Sequence, residues 1–127
     1  MTQWNAWHAR LKADGLFREL PSITRGQAHS FTLQVASDVS GDAFVATIAA
    51  SPDAAETALA TYEVIVGAFA GGVTLVTFSL SASETDIGQD ADLDGVTELV
   101  FEITHTPTGL SAYRCAAGSI YVSGAVA

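Results

Sequence analysis

The chain carries one cysteine, one methionine and a single lysine among its 127 residues. With Cys115 alone, an internal disulfide and a cysteine-built zinc site are both excluded. Cys115 sits in Tyr-Arg-Cys-Ala-Ala, a strand-like context, and reads as a small apolar residue rather than a reactive thiol. Arg114 is the one neighbour in sequence that would lower its pKa. Long apolar runs are also lacking. The most apolar stretch, 64–80, is interrupted by Gly67, Gly71 and Gly72 and carries Thr74, Thr77 and Ser79. No stretch reaches the roughly eighteen apolar residues of a membrane-spanning helix. Arg10 and Lys12 stand where a signal peptide would have its apolar run, so the expectation is a chain kept in the cytoplasm that makes it.

The usual catalytic signatures are missing too. There is no Gly-x-Ser-x-Gly elbow, no His-Glu-x-x-His, no Gly-Lys-Ser/Thr loop and no Gly-x-Gly-x-x-Gly. His8, His29 and His105 are scattered and read as surface or strand-end polar residues. Glu98 and Glu102 share one strand face about 13 Å apart, too wide for a glycosidase pair. The expectation is a protein that is not an enzyme and holds no cofactor.

What is present is apolar material and acid. Apolar residues make up 49% of the chain and charged ones only 15%, enough for a single-domain core and unlike a disordered chain. The net charge of −9 is unevenly spread. Residues 1–25 hold four basic residues against two acids, about +2; the rest has Arg114 against twelve acids, about −11. So acidic a body repels phosphates, which argues against nucleic-acid partners. The asymmetry suggests a basic arm that pairs with an acidic surface, its own or a neighbour's.

Residues 1–20 form that arm. Trp4, Trp7 and Leu11 keep helical spacing, with Thr2 placed to cap the helix and Gly15 to end it. So short a helix needs something to pack on. Tryptophan and arginine are typical interface anchors, so Trp4, Trp7, Arg10, Leu11, Phe17 and Arg18 are the candidate partner-binding residues. The competing reading is an arm folded back over its own domain.

From residue 21 to 127 the pattern is β. Apolar residues alternate in 31–35, 44–48, 62–66, 76–80 and 99–103, followed by apolar segments at 112–115 and 119–126. Turn residues separate them: Ser40-Gly41-Asp42, Pro52-Asp53, Gly71-Gly72, Asp94-Gly95, Pro107-Thr108-Gly109 and Gly118. About seven short strands in some 100 residues predict an all-β, immunoglobulin-like antiparallel sandwich with a short N-terminal helical arm; a small barrel is the alternative. Residues 52–60 and 81–87 read as helical turns, the second opened by a serine or threonine cap followed by an acid.

Asp90, Asp92 and Asp94, followed by Gly95, match the first half of a calcium loop, with Glu98 at the ninth position. The twelfth position, where a bidentate glutamate belongs, is Phe101. The three aspartates are thus candidate calcium ligands on half a motif, and a solvated acidic turn is the competing reading.

Two segments carry a resemblance. Leu20-Pro-Ser-Ile-Thr-Arg-Gly26 leads into the strand 29–35, and Leu80-Ser-Ala-Ser-Glu-Thr85 follows later. Both, with the closing 119–126 strand, resemble small β-sandwich domains of tailed bacteriophages: baseplate upper proteins and related tail-fibre or virion-attachment proteins. The resemblance spans most of 20–126 and leaves out residues 1–19 and the acids at 90–94. It implies a virion structural part that oligomerises and joins other virion proteins, with no nucleic acid or membrane as partner and no catalytic residues to carry over. A capsid decoration protein would use the same physics. A carbohydrate-binding module is a second class, with Tyr62, Tyr113, Tyr121 and the acidic loop as its candidates.

Overall fold

Alternation of apolar and polar residues in the β segments buries one strand face against another sheet. The computed structural model describes residues 9–50, 58–85, 87 and 96–123. Among these, eight strands form two sheets: β1 (Ile23–Thr24), β2 (His29–Val35), β3 (Ala43–Ala49), β4 (Ala60–Thr61), β5 (Glu63–Val66), β6 (Thr74–Leu80), β7 (Val96–Thr106) and β8 (Tyr113–Ser123). One sheet has the order β1-β8-β7-β3-β4 and the other β2-β6-β5. All pairings are antiparallel except β1 with β8. The all-β expectation holds. Trp4, Trp7, the 52–57 turn and Asp90, Asp92 and Asp94 lie outside the described residues.

The inward residues of both sheets meet in one core. Val76, Phe78 and Leu80 of β6 oppose Phe44, Ile48, Phe101, Ile103, Ile120 and Val122. A chain of rings crosses it, from His29 and Tyr62 through Phe31 and Phe78 to Phe44 and His105. Phe31 stacks on Phe78 at 4.8 Å between centroids, and Phe44 lies parallel to His105 at 4.4 Å. Offset aromatic pairs of this kind add to simple area burial.

The two segments read from the sequence as 112–115 and 119–126 are one strand, β8, running to Ser123. Gly118 is not a turn. A methyl group there would collide with the Arg18 carbonyl oxygen and press the Phe101 ring at 3.1 Å. The glycine lets the incoming arm approach the strand.

Residues 9–13 are helical and end in a Schellman motif. Gly15 has φ +73°, Leu16 N–H donates to Leu11 O at 2.8 Å, and Gly15 N–H to Lys12 O at 3.2 Å. Leu16 and Leu11 supply the apolar contact that accompanies the motif. Leu11, 1% exposed, packs with Val100, Ala117 and Ala49 on the outer face of the five-stranded sheet. Arg18 N–H then donates to Ala117 O, and Ala117 N–H to Leu16 O. Residues 9–18 therefore lie on the chain's own sheet, as the fold-back reading has it.

Residues 81–85 form a single capped turn. Glu84 accepts a hydrogen bond from Ser81 N–H at 2.8 Å through its Oε1. Fully buried Thr85 then joins this turn to the β1–β2 turn: its hydroxyl accepts from Gly26 N–H at 3.0 Å and faces the carbonyls of Gln27 and Ala82. Buried Arg25 reaches the Ile87 carbonyl and the Thr97 hydroxyl. The segments 20–26 and 80–85, sixty residues apart, are two halves of one interlock.

Candidate functional site

A cleft lies between the edge of β2 and the start of β8. It has a volume of about 450 Å³ and is lined by Arg18, Thr32–Val35, Ser37, Val39, Phe44, His105, Tyr113, Cys115 and Ala116. A bulge in β8 shapes it. Ile103 faces Ala116 and Thr104 faces Arg114, so Cys115 is the extra residue. Bulges re-aim side chains, and here both Cys115 and Ala116 pack toward the core.

One wall is a hydrogen-bonded relay. His105 Nε2 lies 2.7 Å from Asp42 Oδ2, and Nδ1 lies 2.7 Å from the Tyr113 hydroxyl. Asp42 also accepts from Thr108 N–H and Thr108 Oγ1, both at 3.0 Å through Oδ1. The His105 bond, then those from Thr108, hold the Asp42 carboxyl below its ordinary value. Ionised Asp42 is an acceptor only, so Nε2 carries the hydrogen. In the neutral ring Nδ1 then accepts from Tyr113, whose oxygen keeps lone pairs for the cleft. The relay also ties the β7–β8 turn to the β2–β3 turn. His105 is thus buried in a network and His29 is buried too; both stand at strand ends, as one of the two readings has it, and neither lies on the surface.

Arg18 stands at the rim, exposed, with no ion pair among the described residues. Burial pushes the Cys115 thiol up, against a smaller lowering by Arg18. Cys115 therefore stays protonated at neutral pH, as its sequence context suggested.

A second cleft of about 400 Å³ lies under the arm, lined by Phe17, Glu19, Leu20, Ser22, Ser119 and Tyr121. Ser119 donates to Glu98 at 2.6 Å. Burial, then the charges of Glu98 and Glu19, raise the Tyr121 hydroxyl.

No family model matches the chain, and no curated protein matches it.

The remaining sequence candidates fall as follows. Arg10 is exposed on the helix. Leu11 is sealed beneath the arm and unavailable to another molecule. Phe17 is half-buried, with Lys12 Nζ 4.9 Å from its ring centre. Tyr62 is buried in the core, whereas Tyr113 and Tyr121 are about half exposed. Among the described residues no group of three or more His, Cys, Asp or Glu could hold a metal ion. No described helix is long and apolar enough to cross a membrane.

Sequence reasoning missed the outer face of the β2-β6-β5 sheet. Ile65 is 59% and Leu75 48% exposed there, with Phe69 exposed on the connecting hairpin. Ile65 pairs with Thr77, which sets it diagonally across from Leu75. The residue opposite Leu75 is Gly67, which has no side chain to cover either. The rest of the face is Ser30, Thr32, Gln34, Thr77 and Ser79, with Glu63 as its one charge.

Proposed function

We propose that the chain is a non-enzymatic virion structural protein of a tailed bacteriophage, an adaptor in the tail, baseplate or fibre-attachment region. It acts by binding copies of itself and other virion proteins. The observation that carries this reading is the nearly uncharged face bearing Ile65 and Leu75, with Phe69 exposed on the hairpin that joins their strands, in a chain of net charge −9. Exposed apolar residues grouped on a neutral face are what protein-binding surfaces present. The phage setting rests on the resemblance of 20–26 and 80–85. Their contact through Thr85 gives both segments a shared structural reason to occur in one chain.

The finer fold reading is an immunoglobulin-like sandwich, and strand order supports it. Taking β2 to β8 as strands B, C, C′, D, E, F and G gives sheets BED and GFCC′, with β1 beside G.

The test is molar mass by light scattering for the chain and for Ile65→Lys/Leu75→Lys, across salt. The expected result is a defined oligomer that gains mass as salt screens like-charged copies, reduced to a 13.1 kDa monomer by the double substitution. An oligomer that dissociates with salt would instead favour docking of a basic arm on an acidic body.

A carbohydrate-binding role has one observation of its own, Tyr121 beside Glu98 and Glu19 at the second cleft. A glycan array probed with wild type and Tyr121→Ala tests it, and loss of binding in the variant is the outcome it requires.

A further inference from the structure

Among the described residues, the β2 edge has no strand beside it. β2 ends its sheet, bonded to β6 alone, and its outer backbone edge meets no described partner. The described part of the N-terminal segment, from residue 9 on, does not fill the place: Phe17 and β1 pair with β8 instead. The core shows the gap. Phe31, Leu33 and Val35 are only partly buried, while Val76, Phe78 and Leu80 on the paired strand are 0–2% exposed. The cleft opens at this edge, beside residues 32–35.

We infer that β2 and the cleft form a docking groove for an extended, acidic peptide segment of a partner protein, which adds as a strand beside β2. Strand addition satisfies the free backbone groups of the edge, and alternate side chains of the guest enter the cleft. The acidic character comes from Arg18. It is the one cation lining the cleft, it has no described ion pair, and its fork geometry suits a carboxylate. With the His105 ring neutral, Tyr113 gives its own hydrogen to Nδ1 and offers an acceptor to a guest N–H. The inference rests on the reading of the chain as a protein-binding module and names the chemistry of one partner.

Cys115, the only thiol, lines the groove and reports on its occupancy. The probe is a blocked peptide of alternating valine and threonine with one central glutamate. Two control peptides carry glutamine at the centre or methyl groups on alternate backbone nitrogens. Binding to the full chain is followed by amide shifts and by the rate of Cys115 alkylation. The glutamate peptide is expected to shift amides of residues 32–35 and slow the alkylation. The glutamine peptide, and the glutamate peptide on Arg18→Glu, should bind about tenfold more weakly. The methylated peptide should not bind. Equal binding of the methylated peptide would overturn strand addition, and equal binding of the glutamine peptide would overturn the acidic preference. No effect of any peptide at millimolar concentration would overturn the groove. It would leave the light-scattering test of the Ile65 and Leu75 face standing.

Discussion

Gly118→Ala puts one methyl group where the arm crosses β8. The methyl meets the Arg18 carbonyl, a backbone atom that cannot turn away, and the Phe101 ring at 3.1 Å. Overpacking of this kind costs about 1–3 kcal/mol. Replacing a strand glycine by alanine returns about 0.5–1 kcal/mol of chain entropy. The net expectation is a loss of about 1–2 kcal/mol. Peeling the arm away is the other escape, but it would expose Leu11, about 2 kcal/mol of apolar burial. It would also break the Arg18–Ala117 and Ala117–Leu16 backbone bonds, about 1 kcal/mol each. Strain with partial loosening of the arm is therefore the cheaper outcome. Urea unfolding measures the loss. Trypsin reads the loosening, because Arg10, Lys12 and Arg18 all lie in the arm. Cleavage there should quicken in the variant, and Leu11→Ala in the same background should cost less than it does alone. A Gly118→Ala protein as stable and as trypsin-resistant as the parent would refute the close approach.

Thr85→Val removes the hydroxyl that joins the 24–27 and 81–85 turns and leaves Gly26 N–H without its partner. Urea unfolding should show a loss of about 1–3 kcal/mol, with Thr85→Ser close to the parent. Tyr62 OH is buried without a hydrogen-bond partner among the described residues, so Tyr62→Phe should be neutral or stabilising by about 1 kcal/mol; a clear loss would reveal a hidden bond. Acid stability should fall in two steps. Burial lowers the His29 pKa, so the unfolded chain binds its proton first and stability declines as pH drops below about 6.5. Asp42 is held low by His105, and its contribution, full above about pH 4, is lost as pH falls further. Melting curves against pH should lose the upper step in His29→Phe and show a smaller lower step in Asp42→Asn, because Asp38 and Glu84, held low by Ser40 and Ser81, keep their share of it.

Much of the fold was legible because β2, β3 and β6 alternate along their length, each turning every second residue toward the core, while β7 departs from the pattern only where the arm covers Val100. β1 and β4 were not, since a two-residue strand exists only by pairing with distant chain: Ile23 with Val122, Ala60 with Ile48. Gly118 misled because glycine marks turns locally, while its reason here is a backbone one hundred residues earlier. The relay was hidden for the same cause. Asp42, His105 and Tyr113 share no spacing that a reader of sequence could recognise. The exposed face went unseen because Ile65 and Leu75 look like ordinary strand apolars until the register shows which way each points. Arg18 was singled out for its charge, but its place at the cleft rim depends on the arm's parallel bridge to β8.

The most direct measurement is amide hydrogen exchange of the full chain at dilute and concentrated conditions in high salt. Protection that grows with concentration across the β5–β6 hairpin, 63–80, is the predicted result. Growth of protection confined to the outer face of the five-stranded sheet, or none at any concentration, would contradict assembly through the Ile65 and Leu75 face.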